Sequence, residues 1–395
     1  MACCLVTNRP FPDGPVREPV LESDPVNMAW ALSGHYLSFL TARRLSDVAL
    51  RRWLAPFDPV IVALDRQDLT TCWRVVQAAP ARVFTYSEGH IQDYQSLRPA
   101  DQERWVEVLR HAHLNLIYWE RYVPFYQSLS PVPVAYLPYP YLVEFAASKA
   151  VRLENRPLLG VVPTGLAGGS RNGLADLLVV QHLREKGSLQ DWVFCLDADK
   201  FDEDARGILS LLGAKASGDL RPPSLPRWKR WLIRSGLDYR PLLRLRQGVW
   251  RWFGQPQVPP PTLYQAHPDL AFLRRTGWER YLDHLARARF MVDLNDRETV
   301  GRNALDGAAL GVPCVSTPCS DLQPRLFPET TVSHPWAVDE AVALCRRLLA
   351  DGDFYARVCD QAWERLQEYG PEAFRRRFER ASRASPPAGS EPARR

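Results

Sequence analysis

Two carboxylates eight positions apart, Glu298 and Asp306, flank a run suited to holding an anion, Thr299-Val300-Gly301-Arg302. They belong to the stretch Phe290–Ser316, FMVDLNDRETVGRNALDGAALGVPCVS. An apolar strand (Phe290–Leu294) passes into the acidic polar loop Asn295-Asp296-Arg297-Glu298. A helix of small residues then runs to about Leu310, and Gly311-Val312-Pro313 turns into the next strand. If Thr299-Val300-Gly301 opens that helix, the backbone N–H groups of Val300, Gly301 and Arg302 lack intrahelical partners. They also lie at the positive end of the helix dipole, a ready site for phosphate. Gly301 lets such a group come close. A nucleotide diphosphate straddling the helix start would put one carboxylate near a sugar and the other near a ribose.

The elements that must position these residues read as alternating strands and helices. In the first half the strands are Cys3–Thr7, Pro59–Leu64, Ala81–Tyr86, Leu114–Tyr118 and Val132–Leu137. Helical spacing is expected over Asn27–Arg44, Leu69–Ala79 and Asp101–His113. After the proline-marked Leu137-Pro138-Tyr139-Pro140 and a connector, Glu144–Arg156, a second series begins. Its strands are Leu158–Pro163, Trp192–Leu196, Phe290–Leu294 and Pro313–Thr317, and the glycine-rich loop Thr164–Gly173 leads into a helix over Leu174–Lys186. This alternation predicts an α/β protein of two Rossmann-like parallel-sheet domains. Residues 1–150 form the first, 151–384 the second, and Ser385–Arg395 a disordered tail.

Length and composition agree. At 395 residues the chain exceeds one ordinary core, and 46% hydrophobic with 24% charged residues excludes a fibrous or wholly disordered chain. No apolar run approaches the roughly 18 residues of a membrane span, and Met1–Arg9 lacks the pattern of a signal peptide, so a cytoplasmic location is expected. The eight cysteines form no C-x-x-C or zinc-spaced cluster, which argues against a disulfide framework.

The segment from Glu298 through Asp306 to Gly311-Val312-Pro313 resembles the donor site of retaining glycosyltransferases of the GT-B fold, most closely glycosyltransferase family four with its Glu-x7-Glu motif. The resemblance spans roughly residues 157–200 and 270–380 and takes in the glycine-rich loop and His334-Pro335-Trp336-Ala337-Val338-Asp339-Glu340-Ala341. It implies two domains with a cleft between them: an acceptor domain at 1–150 and a nucleotide-sugar donor domain at 151–384. The implied activity is transfer of a sugar from a nucleotide-diphosphate sugar to an acceptor hydroxyl with retention, without a metal or other cofactor. Glu298 would contact donor-sugar hydroxyls and Asp306 the ribose. Gly169, Arg171, Val300, Gly301 and Arg302 would bind the donor, and His90 would face the cleft as a catalytic residue. The second acid is Asp where the family has Glu, and no clear Gly-Gly acceptor loop stands in the first domain, where Ser33-Gly34-His35 is a poor substitute. The acceptor could thus be a glycan, a lipid-linked molecule or a small molecule.

Two features support rival readings. Asp197-Ala198-Asp199 follows a strand, as in metal-dependent GT-A enzymes, where oxygen ligands hold a divalent cation. Its mid-chain position in a second α/β unit, and an anion site at Gly301 that needs no metal, weigh against it. Between Lys215 and Gly254, ten Lys/Arg face two acids, so this segment carries +8 within a chain of net +5. Trp228, Trp231, Trp250, Trp252 and Phe253 interleave with those charges. The segment, which overlaps an insertion at about 216–262, either packs on the second domain or fits an anionic membrane surface, with nucleic acid as the lesser alternative. A catalytically degenerate GT-B scaffold is a further alternative.

Overall fold

The computed structural model describes residues 2–9, 11–21, 23–88, 91–163, 173–183, 192–196, 208, 263–267, 270–274 and 277–385. The first half is built on seven strands: β1 (Cys4–Thr7), β2 (Gly14–Pro15), β3 (His35–Ser38), β4 (Val60–Ala63), β5 (Val83–Ser87), β6 (Leu114–Ile117) and β7 (Val134–Tyr136). They lie in the order β2-β3-β1-β4-β5-β6-β7. All neighbours are parallel except the short edge pair β2 and β3. The central strands β1, β4, β5 and β6 are buried throughout, as expected when helices cover both faces of a parallel sheet.

Among the described residues six strands make the second sheet: β8 (Leu158–Val162), β9 (Trp192–Leu196), β10 (Leu263–His267), β11 (Leu270–Arg274), β12 (Ala288–Asp293) and β13 (Cys314–Ser316). Their order is β10-β11-β9-β8-β12-β13, with β10 antiparallel at the edge and the rest parallel. The chain builds outward from β8 through β9 to β11, then returns to the other side of β8 with β12. Strand order therefore reverses between β8 and β12, and the crevice beyond their carboxyl ends is where such sheets bind ligands.

Each sheet has its own apolar core. The first gathers residues from Cys4 to Tyr139, the second those from Tyr141 to Tyr369. The boundary expected at 150 thus falls some ten residues earlier, at the prolines, where Tyr141 N–H donates to Tyr369 O (2.8 Å) and two crossings of the chain run side by side. The last helix, Pro371–Ala384, expected with the second domain, returns to the first core through Phe374 and Phe378. Arg375 Nε donates to Ala31 O (3.1 Å) and Arg82 Nη1 to Ser382 O (3.1 Å), fixing the helix there.

One long helix over Asn27–Arg44 does not form. Helices Asp24–Ala31 and Phe39–Arg44 are separated by β3. Ser33 takes a left-handed φ of 50°, and Gly34 lies so close to Cys3 that a side chain there would collide with its Sγ. The apolar residues of 35–38 suit a strand as well as a helix, and this pair of residues breaks the helix between them.

Candidate active site

Strand β12 delivers the site loop to the reversal point of the second sheet. Leu294 N–H donates to the buried Asp176 (2.6 Å) on helix Gly173–Leu183, and Thr317 Oγ1 donates to Asn295 O (2.6 Å). Further on, the loop is clamped like an extra strand. Thr299 N–H donates to Cys319 O (2.9 Å), Asp321 N–H to Thr299 O (2.8 Å) and Leu322 N–H to Val300 O (3.0 Å). Gly301 ends the clamp at φ +88°, a backbone conformation that costs other residues about 1–2 kcal/mol. A Cβ at this position would also strike Ser320 Oγ. Gly301 is therefore demanded twice, by backbone and by space.

The helix begins at Arg302 and runs to Leu310, later than Thr299-Val300-Gly301 suggested. The reason is the clamp, which holds 299 and 300 extended, and the left-handed Gly301 that caps the helix. Ala304 N–H donates to Gly301 O (2.9 Å), while the amides of Gly301, Arg302 and Asn303 have no backbone acceptor among the described residues. The amide of Val300 has no backbone acceptor among the described residues either, so the three expected donors are open and Asn303 adds a fourth, while the Val300 side chain packs between the two cores. Asn303 Nδ2 donates to Asp293 Oδ2 (2.8 Å), which ties the first turn back to the end of β12.

Glu298 stands just before the clamp, half-exposed, and faces the first half. Tyr122 donates its phenol proton to Glu298 Oε2, and Arg121 Nη1 lies 3.6 Å from Oε1. Both partners come from the turn after β6.

Asp306 differs from its expected role. Its side chain is 1% exposed, and Oδ1 accepts from Tyr141 Oη (2.8 Å) and from Trp278 Nε1 (2.9 Å). Burial raises its carboxyl above the usual carboxylate range, with Arg302 and the two hydrogen bonds pulling the other way. The oxygen expected to meet a ribose is thus taken up by the crossing at Tyr141. Each such bond contributes about 1 kcal/mol net, so the side chain acts as a brace between helix and crossing. Arg302 is similarly engaged: it pairs with Asp24 of the first half, and its guanidinium lies 4.7 Å over the Trp278 ring. Burial lowers its pKa, but Asp24 and Asp306 outweigh that and keep it charged.

Gly169, Arg171 and His90 lie outside the described residues, as do Asp197-Ala198-Asp199, the basic Lys215–Gly254 segment and the tail beyond Ser385. Among the described residues no group of His, Cys, Asp and Glu is arranged to hold a metal, and no helix is long and apolar enough to cross a membrane. Sequence reasoning missed Asp24, Arg121, Tyr122, Tyr141 and Trp278. Only Tyr141 had a nearby signal, the prolines that mark the crossing.

No family model and no curated protein matches the sequence. Solved structures do resemble it in fold. A trehalose-6-phosphate synthase whose glycosyltransfer with retention was probed with bisubstrate glycomimetics superposes with a TM-score of 0.59 at 11% identity, over 92% of this chain and 80% of that one. Trehalose-6-phosphate from E. coli bound with UDP-2-fluoro glucose gives 0.61 at 11%, over 98% and 100%. Sucrose-phosphate synthase from Thermosynechococcus elongatus gives 0.55 at 12%, over 97% and 98%. With the two sheets and the crossing described above, these likenesses establish the GT-B fold expected from the sequence.

Proposed function

We propose that the chain is a retaining glycosyltransferase that moves a sugar from a nucleotide-diphosphate sugar to an acceptor hydroxyl. The observation that carries this reading is the Glu298–Asn303 constellation. A carboxylate and a run of open backbone amides share one loop, which a left-handed Gly301 pins at the reversal point of the second sheet. The diphosphate would rest on the amides of Gly301, Arg302 and Asn303. There the helix start stabilises the negative charge that grows on the leaving group, in a site whose donors are already oriented. Glu298 would take the sugar hydroxyls. The guanidinium of Arg302, held by Asp24 and Trp278, contributes positive charge from behind the helix start, so that only the backbone amide of this residue would meet the phosphate.

Retention follows from the family resemblance, with attack and departure on the same face and the leaving phosphate accepting the acceptor proton. The fold likeness to proteins named for trehalose-6-phosphate and sucrose-phosphate synthesis supports glycosyl transfer and makes UDP-glucose the first donor to try. Backbone donors need no metal, so transfer is expected to survive EDTA. The basic 215–254 segment is proposed to attach the chain to anionic membrane, which vesicle flotation at low and high salt would test.

A melting-temperature screen against nucleotide sugars tests the main reading, because a ligand at 100 times its Kd adds about 2.7 kcal/mol of apparent stability. The expected result is a clear upward shift with one donor class and transfer from that donor in EDTA. A complete panel with no shift would sink the reading. Loss of transfer in EDTA with recovery on Mn²⁺ would move the chemistry to Asp197 and Asp199.

A further inference from the structure

The turn Glu120–Tyr122 follows β6 in the first half, and each of its three residues holds the second half. Glu120 pairs with Arg325 and Tyr122 with Glu298. Arg121 spreads three nitrogens over three points. Its Nε donates to Asp321 Oδ1 (3.0 Å), Nη2 donates to Pro318 O (2.9 Å), and Nη1 lies beside Glu298. Asp321 is itself bonded through its backbone to Thr299, the neighbour of Glu298. The guanidinium is thus locked onto the loop whose carboxylate it faces, a task for a planar fork that a single ammonium does not reproduce.

Tyr122 is aimed with similar firmness. Its ring is buried and stacks on Trp119, with centroids 5.3 Å apart and planes 22° from parallel. Among the described residues every side-chain partner of Glu298 therefore belongs to the opposite half. With the halves apart, this side chain is an unrestrained Glu free to rotate among its staggered wells.

We propose that Tyr122 and Arg121 are positioning residues for Glu298, aiming its carboxylate only when the two halves are closed on each other. The proposal rests on the glycosyltransfer reading and deepens it. The group that receives the donor sugar is oriented by the half that carries the acceptor, so closure becomes a condition for reaction as well as a shield from water.

The test compares Tyr122→Phe and Arg121→Lys with the parent chain, each alone and combined with Glu298→Gln. Tyr122→Phe keeps the stacked ring, so melting temperature should hold. Its kcat should fall about ten-fold, with KM for the nucleotide sugar within about two-fold. Arg121→Lys should fall in the same direction. In the Glu298→Gln background neither change should cost anything more, because the group they aim is gone. A readout independent of turnover is amide hydrogen exchange over residues 295–302, expected to quicken several-fold in both single variants. Unchanged kcat, a full multiplicative loss in the Glu298→Gln background, or faster turnover on removing the phenol would each overturn the proposal; the last would make Tyr122 a plug in the site. If the parent chain turns over no nucleotide sugar, the glycosyltransfer reading falls. Exchange still decides the positioning role, and an unchanged rate over 295–302 overturns it.

Discussion

The two halves share an architecture but contribute to the site in opposite ways. The second half supplies one contiguous stretch, in which strand β12, the clamped loop, Gly301 and the helix follow each other without interruption. From the first half come single side chains at widely separated positions: Asp24 on Arg302, and Arg121 and Tyr122 on Glu298. The contiguous part is framed by backbone geometry, the scattered part by side-chain contacts across the cleft. Backbone geometry holds the donors proposed to bind the diphosphate in place even with the cleft open, whereas Glu298 takes its final setting from the other half.

The comparison breaks most readily at the contiguous part. Gly301→Val combines a left-handed φ with a collision at Ser320 and should destabilise the chain by about 3–4 kcal/mol, read by urea denaturation. Near-normal stability would mean that the loop is not pinned in the way described. Next in size, Asp306→Ala leaves the buried Tyr141 hydroxyl and Trp278 N–H without their acceptor, at a cost of about 2–3 kcal/mol. A change under about 0.5 kcal/mol would show that the brace carries no load.

Glu298→Gln should keep the fold and lower turnover ten-fold or more, about 1.4 kcal/mol of transition-state stabilisation. A well-folded variant with normal turnover removes Glu298 from the chemistry. Asp24→Asn weakens a partly exposed pair between the halves and should cost no more than about 1 kcal/mol, seen as a small fall in melting temperature.

The smallest and most diagnostic change is Asp306→Asn. It keeps an oxygen for Tyr141 and Trp278 but removes the charge that burial disfavours. Because the folded carboxyl titrates above its unfolded value, the native state of the parent chain holds the proton more tightly. Its contribution to stability is therefore full below the unfolded pKa and is lost as pH rises through the folded one. The Asn variant should be the more stable chain at pH 7, and the two should converge near pH 4. A gap that widened on acidification would reverse the assignment.

How much of this was legible before folding follows the same division. The apolar runs at Cys3–Thr7, Pro59–Leu64 and Phe290–Leu294 mark β1, β4 and β12 because a buried parallel strand has no polar face to disguise it. Strand β3 stayed hidden because its His-Tyr-Leu-Ser run continues a helical spacing on both sides. The Glu298 loop was visible because its chemistry is consecutive in sequence. Tyr122 was not, since 176 residues separate it from Glu298 and nothing local in Glu120-Arg121-Tyr122 distinguishes it from any surface turn. The helix start was misplaced for a physical reason too. The clamp by Cys319 and Leu322 that keeps 299 and 300 extended is a tertiary contact, and it overrides the local pattern.

The return of the helix Pro371–Ala384 to the first core gives synthesis on the ribosome an unusual order. The buried residues of the second core, among those described, all fall between Tyr141 and Tyr369, so its sequence is complete before the helix that closes the first core is made. The first core, begun at Cys4, still waits for Phe374 and Phe378, and Phe378 packs its ring 5.9 Å from that of Phe84. Nascent first halves therefore carry an uncovered apolar strip until the helix Pro371–Ala384 leaves the tunnel, which is the kind of exposed surface that chaperones hold.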